Sequence, residues 1–524
     1  MSACVACNLH SYCPYYCMRV LLLSAPCGEE LHTMMTNETS LQQNIPERID
    51  RLPVNWVIVR IMLLAGIAWF IESYDIGIIG NALPLINKHY PLNAFSQGWL
   101  VAASTLGIVV AIVPASWIAD QFGRKRVLIF GTAWYAVFSF LCGLATNIPL
   151  LFALRLISGF GMGAVFPIPY AIASEYMPRR LRGAMTGILD SFLSFGYFLA
   201  PVLALLIVPA FPVDSWRYLF YIGGLPLLFV PVLIFAMPES ARWLQSKGRH
   251  ASANRIVSAL EEYIERRTGK KLPEPERETA VVITEKVVPV GMIFRGAYLK
   301  RTLMMWIAFS CILFLFYAIQ TYTPTVLIKE GYAVKNAFLV TAIIVLASIP
   351  GKYAETFVVE RWGRKPTILL FTIVACLSAV LFGSTGTLTK ALGLPHIAFL
   401  GLASGIILSF FGIGVDPALK IYGAEQYPTR VRETGVGFIE GIGRFLGGAL
   451  APFIMSFILS TGGGIPRAYI FVAVVGLVGV AAVALLGSET KGEILEKVSE
   501  IAQKKELDGA TVSATVSSAE PENG

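Results

Sequence analysis

Asp120-Gln121-Phe122-Gly123-Arg124-Lys125 recurs 240 residues later as Glu360-Arg361-Trp362-Gly363-Arg364-Lys365. Each copy closes one strongly apolar run and opens another, so each reads as a short basic turn between two helices. Working outward, the chain repeats further. Pro84 and Pro324 share the offset of 240. Glu175-x-x-Pro178-x-x-x-Arg182 returns as Glu425-x-x-Pro428-x-x-x-Arg432 at an offset of 250, and Asp190 with Glu440 and Glu239 with Glu489 fall on the same offset. A longer loop around 383–395 would absorb the difference. The chain is two copies of one plan, and a parallel repeat of this kind sets a binding site where the halves meet.

The composition says where such a chain lives. Its 524 residues are 55% hydrophobic and only 15% charged, with a mean hydropathy of +0.65. An ordinary soluble chain carries about 25% charged residues, so soluble, fibrous and disordered classes are excluded. Each membrane helix needs roughly 20 apolar residues, and a dozen would take about 240. Apolar runs lie near 61–83, 97–119, 127–146, 150–173, 184–208 and 218–237, then near 302–325, 337–358, 366–384, 396–418, 434–459 and 467–487. The predicted fold is an all-α membrane protein of 12 transmembrane helices in two pseudo-symmetric six-helix bundles, residues 56–237 and 302–487. Around them lie an N-terminal tail (1–55), a linker (238–301) and a C-terminal tail (488–524).

The net charge of +8 suits nucleic acid or an anionic surface, but the positives lie in short loops between apolar runs, which favours the membrane. Even-numbered loops hold eleven: Arg124, Lys125, Arg126, Arg179, Arg180, Arg182, Arg361, Arg364, Lys365, Arg430 and Arg432. Odd-numbered loops hold six: Lys88, Arg217, Lys329, Lys335, Lys390 and Arg467. The first set is expected to face the cytoplasm, with both termini inside and the protein in the plasma membrane. The linker carries 13 Lys/Arg and 8 Glu, and 251–267 reads as a surface helix, either solvated or laid on anionic lipid.

Five of eight cysteines fall in the first 27 residues, but Cys4-x-x-Cys7 has no second pair, so a leader is expected rather than a metal site. Met34 and Met35 are plausible starts, which would leave 1–33 outside the protein. The apolar stretch 18–26 is too short to span a bilayer.

These motifs resemble the major facilitator superfamily. Asp120-x-x-Gly123-Arg124-Lys125 is similar to its loop 2–3 signature, with Ser116 where a Gly is usual. Arg155-x-x-x-Gly159-x-Gly161-x-Gly163, followed by Pro167, Glu175, Pro178, Arg182 and Gly183, resembles the fourth span of sugar and metabolite porters. Pro238-Glu239-Ser240 and Glu489-Thr490-Lys491-Gly492 resemble the ends of spans six and twelve. Sugar porters carry a glutamine where this chain has Asp190. The segment Glu47-Arg48-Ile49-Asp50-Arg51-Leu52-Pro53, the acids of Glu72-Ser73-Tyr74-Asp75, and Gly441-x-x-Arg444 are more similar to the metabolite:proton and aromatic-acid:proton symporters. The resemblance implies secondary transport of a small organic metabolite, an organic acid or sugar-like compound, with a proton as driving ion. A proton-coupled sugar porter proper and a non-transporting nutrient sensor are the alternatives.

Ionisable residues inside spans cost roughly 2.5–3.5 kcal/mol each, so each needs a partner or a task. Six stand out: Glu72, Asp75, Arg155, Asp190, Glu440 and Arg444. Glu72 and Asp75 share a helical face, and Asp75 is placed to meet Arg155 across the bundle. The pair reads as a proton-coupling device or a static ion pair. Glu440 and Arg444 are spaced to pair locally, leaving Arg444 as a carboxylate clamp or only a partner. Asp190 has no such local partner, which makes it a substrate or proton contact. Asp416 before Pro417 reads as a cap or kink. Tyr317, Gln320 and Tyr322 in span seven are further candidates for substrate contact. The loop residues Asp120, Gly123, Arg124, Lys125, Glu175, Arg182, Glu360, Gly363, Arg364, Glu425 and Arg432 are expected to gate, with Asp120 accepting from Arg124 and from helix-start N–H groups to hold the halves together. No cofactor, metal or nucleic-acid partner is expected, and the protein reads as a monomer. No Gly-x-x-x-x-Gly-Lys-Ser/Thr or Gly-x-Ser-x-Gly occurs, and the five histidines are scattered, so ATP coupling and an enzyme are disfavoured.

Overall fold

The computed structural model describes residues 45–178, 182–211, 213–274, 293–294, 296–391, 398–427, 432–461 and 464–491. Cys4, Cys7, the stretch 18–26, both alternative starts and the chain beyond 491 lie outside them. Among the described residues there is no strand. Among the same residues twelve helices are long and apolar enough to cross a membrane. In the first half these are span 1 (Trp56–His89), span 2 (Ala94–Phe122), span 3 (Arg124–Gly143), span 4 (Ile148–Tyr176), span 5 (Met185–Ala210) and span 6 (Ser215–Ala236). In the second they are span 7 (Tyr298–Lys329), span 8 (Val334–Trp362), span 9 (Arg364–Thr389), span 10 (Phe399–Glu425), span 11 (Gly435–Ser460) and span 12 (Gly464–Leu486).

Several helices start before their apolar runs because an asparagine caps them. Asn55 accepts from the N–H of Val57 and Ile58, Asn93 from Ser96 and Asn147 from Leu150. The loop expected around 383–395 is helical as far as Ala391. Thr385 and Thr389 donate to carbonyls one turn back, at Leu381 and Thr385, so this polar segment stays wound. Residues 392–397 lie outside the described residues.

Spans 4 and 10 are broken at repeat-equivalent places. Span 4 runs as Ile148–Val165 and Ile168–Tyr176 around Pro167, and span 10 as Ala398–Gly412 and Asp416–Glu425 around Pro417. Proline lacks the donor that would continue the ladder. The glycines of span 4 let it nest closely: a Cβ at Gly159 would strike Ser104 and Gly107 of span 2, and one at Gly161 would strike span 3 at Tyr135. Between the halves, span 2 packs on span 11, span 5 on span 8 and span 1 on span 7.

The linker is more than a solvated connection. Its helix His250–Thr268 buries Ala253, Val257, Leu260 and Ile264. Ala253 and Val257 form a small second core with Ile45 and Ile49 of the short helix Ile45–Asp50 and with Ala241, Trp243 and Leu244, while Leu260 and Ile264 join the main core. Arg48 clamps the assembly, donating to both oxygens of Glu261 at 3.0 and 2.6 Å, to Asn254 and to Ser258. Trp243 Nε1 then donates to the Asp120 carbonyl at 2.8 Å, which ties the linker to the first half. The end of the bundle on this side is called the linker face below.

Candidate functional site

Among the described residues two charged clusters lie inside the bundle, one within the first half and one between the halves. In the first, span 1 brings Asp75 to Arg155 of span 4, with Arg155 Nη1 donating to Asp75 Oδ2 at 2.9 Å and Nη2 to its carbonyl at 3.3 Å. Ser139 of span 3 donates to the other carboxylate oxygen, and the Phe220 ring lies 5.5 Å from the guanidinium. Both charges are buried, at 0% and 1% exposure, so neither can lean on water. Glu72, one turn earlier on span 1, is buried as deeply, yet neither of its oxygens has a hydrogen-bond partner among the described residues. The same holds for the Tyr135 and Tyr317 hydroxyls and for Gln320 Oε1.

In the second cluster Asp190, which has no local partner in the sequence, finds its partners on other spans. Lys352 of span 8 donates to its carbonyl at 3.0 Å and to Oδ2 at 2.5 Å. Lys420 of span 10 donates to Oδ1 at 2.8 Å, and the Tyr170 hydroxyl of span 4 donates to the same oxygen at 2.7 Å. Asp416 is more than a cap, because its carboxylate accepts from Lys420 at 2.7 Å. Glu355, one turn past Lys352, is also buried. Lys352 and Glu355 stood in plain view within the apolar run 337–358, and Lys420 lies two residues beyond the run 396–418. None of the three is among the six in-span charges that stand out in the sequence.

Arg444 and Glu440 pair as their spacing predicts, at 3.2 and 3.0 Å. The guanidinium also lies 3.7 Å from the centre of the Phe166 ring, on the broken span 4. Lys420 faces the same aromatic wall, 5.4 Å from Tyr170 and 5.9 Å from Phe166. Trp69 backs it, packing 4.4 Å from Tyr170 and donating to the Phe166 carbonyl at 3.1 Å. Tyr322 is differently placed. Its hydroxyl donates to the Pro452 carbonyl at 2.7 Å and meets Ser456 at 2.7 Å, within the second half.

The loop residues act within their own halves. Arg124 binds Glu175 at 3.0 Å and Asp120 at 2.8 Å, and Glu239 accepts from the Lys125 N–H at 3.2 Å. The second half repeats this: Arg364 binds Glu425 at 3.0 Å, while Glu489 accepts from the N–H groups of Arg364 and Lys365, both at 2.9 Å. The helix-start N–H expected for Asp120 thus belongs to Glu239, and the Asp120 carboxylate contacts its own half. A side chain at Gly123 or Gly363 would strike Glu239 or Glu489, and both glycines have a φ of +103°. Burial works against a charged Glu489, but the N–H groups of Arg364, Lys491, Lys365 and Thr490 outweigh it and hold this carboxyl below its ordinary range. Glu360 is exposed. Arg182 and Arg432 open their helices, but their side chains lie outside the described residues.

The repeat separates what the fold needs from what it does not. Arg124, Glu175 and Glu239 have counterparts in the second half. On the same offsets, Glu72 and Asp75 correspond to Ile312 and Leu315, while Lys352, Glu355 and Lys420 correspond to Ile112, Ala115 and Tyr170. The fold tolerates neutral residues at these places, so the buried charges are specific to each half.

The family described as Major Facilitator Superfamily matches residues 65–452. The niacin transporter NiaP of Acinetobacter baylyi is 31% identical over 458 residues, covering 87% of this chain and 99% of its own. The 4-hydroxybenzoate transporter PcaK of Pseudomonas aeruginosa is 28% identical over 437 residues, covering 83% of this chain and 93% of its own. Among solved structures, the partially occluded inward-open xylose transporter XylE from E. coli superposes with a TM-score of 0.67 at 17% identity, over 84% of this chain and 100% of that one.

Proposed function

This chain belongs to the major facilitator superfamily, and from that premise we propose that it carries a small organic acid across the plasma membrane together with a proton, by alternating access. It is a multi-pass membrane transporter and not an enzyme. The observation that carries the proposal is the arrangement of buried charge: an acid pair with one arginine in the first half, and three cations, Lys352, Lys420 and Arg444, held by acids against an aromatic wall between the halves. The first set suits a proton and the second suits a carboxylate.

In this reading the linker face is cytoplasmic, as the lysine and arginine count supports. Asp75, Glu72 and Arg155 couple the proton. An unpartnered buried charge is costly, so Glu72 is the acid on which a proton sits most cheaply in this conformation. Passing it to Asp75 releases Arg155 and lets spans 1 and 4 repack. Asp190, Arg444, Glu440, Tyr317 and Gln320 line the substrate path. Tyr322 contributes by packing, since its hydroxyl is already satisfied. The paired loops brace each half as a rigid body. Relatives that transport niacin and 4-hydroxybenzoate support an aromatic acid as the substrate class.

Purified protein in liposomes tests this with labelled nicotinate, 4-hydroxybenzoate and xylose. Uptake of an acid is expected to quicken when the outside is acidic. Asp75→Asn is expected to abolish uphill accumulation while leaving exchange partly intact. Uptake that follows sodium and ignores pH removes the proton assignment. Uptake of xylose alone moves the protein to the sugar porters, and binding without uptake makes it a sensor.

A further inference from the structure

Asp190 is the one member of the second cluster that comes from the first half as a charge. Lys352, Glu355, Asp416, Lys420, Glu440 and Arg444 all belong to the second half. Both ion pairs on Asp190 therefore join the two halves. Its carboxylate sits among three donors, Lys352, Lys420 and the Tyr170 hydroxyl, beside the rings of Phe166 and Tyr170. Two ammonium groups and a hydroxyl against an aromatic wall form a seat for an aromatic carboxylate, and here a tethered carboxylate occupies it.

That arrangement has a consequence for opening. Parting spans 5 and 8 would pull Asp190 from Lys352 and Lys420, taking from Lys352 its ion-pair partner and leaving Lys420 with Asp416 alone. Removing one partner of a buried pair is strongly unfavourable, because the remaining charge has no water to turn to. A free anion that takes over the seat removes the obstacle. We propose that Asp190 stands in for the carboxylate of the substrate, and that the substrate displaces it from Lys352 and Lys420 and so unlatches the halves. The inference rests on the reading of the chain as an organic-acid transporter. It moves the carboxylate seat away from Arg444, whose guanidinium is already held by Glu440 and Phe166. It also explains why repeat-equivalent positions carry Ile112 and Tyr170: one half needs the cations and the other needs only the latch.

Thermal melting of the detergent-solubilised full chain tests this with benzoate and its neutral isostere benzamide. Asp190→Asn is expected to melt below wild type without ligand. Benzoate is expected to raise its melting temperature more than that of wild type, with a half-saturating concentration at least about fivefold lower, a typical coupling between linked sites. Benzamide is expected to do neither. Replacing both Lys352 and Lys420 by Met is expected to remove the benzoate response, and replacing both by Arg to restore part of it. A second measurement needs no change at Asp190. A Cβ at Gly187 of span 5 would lie 3.2 Å from Thr356 of span 8, so Gly187→Cys with Thr356→Cys is expected to cross-link. Benzoate is expected to slow that reaction and benzamide to leave it alone, read by mass spectrometry of the linked peptides. Equal or weaker benzoate binding by Asp190→Asn, or equal effects of benzoate and benzamide on the cross-link, overturns the proposal. A wild-type protein that binds no benzoate, nicotinate or 4-hydroxybenzoate overturns instead the functional reading on which it rests.

Discussion

At the scale of single residues, the most constrained positions are those where charge or backbone geometry leaves no alternative. Gly123 and Gly363 have a φ of +103° with a glutamate carboxylate against them, so Ala at either is strained twice over. Each substitution is expected to cost about 1–3 kcal/mol, read as a lower melting temperature in detergent. Asp75 and Arg155 form a different kind of constraint. Arg155→Met leaves a buried carboxylate unpaired and is expected to cost about 3–5 kcal/mol. Combining it with Asp75→Asn is expected to be milder than Arg155→Met alone, because both charges are then gone. A double-mutant cycle of melting temperatures checks the sign. The Asp75–Arg155 meeting was legible in the sequence from depth alone, since both lie far enough along their spans to reach each other. The partners of Asp190 were not, because Lys352 and Lys420 lie 162 and 230 residues away and no local spacing links them.

At the scale of elements, the linker shows how an amphipathic helix finds its partner. The sequence marks a helix at 251–267, and the structure gives it a buried face against Ile45 and Ile49. Burial works to raise the Glu261 carboxyl, but hydrogen bonds and charge from Arg48 and Arg51 outweigh it and hold the group below its ordinary value. A carboxyl lowered in the folded state binds fewer protons there than when unfolded, so its contribution is present above the unfolded value, about 4.3, and is lost as pH falls through the folded one. Glu261→Gln is therefore expected to lower stability by about 1–3 kcal/mol near neutrality. The difference from wild type is expected to shrink below about pH 4. Hydrogen exchange of residues 45–52 over a pH series measures it, with faster exchange in Glu261→Gln at neutral pH only.

At the scale of the whole molecule, the halves meet through small residues on the face opposite the linker. Gly80 of span 1 lies against the backbone of Thr321 in span 7, and Gly98 of span 2 against Phe453 in span 11. Gly98→Trp is expected to hold these spans apart and favour the state open on that side, seen as slower alkylation of cysteines introduced on the linker face. What the sequence by itself determined is the architecture: the apolar runs, the Asp120 and Glu360 turns and the offsets of 240 and 250 specify twelve spans in two repeated halves. Hydropathy and repetition are local or periodic, so they survive in one dimension. Which buried charges face one another was decided only by the tertiary structure. Asp190 meets Lys352 and Lys420 because spans 4 and 10 break at their prolines and spans 5 and 8 pack across the halves. Pairing depends on helix rotation and packing, and the free energy of a buried ion pair exists only once those helices are in contact.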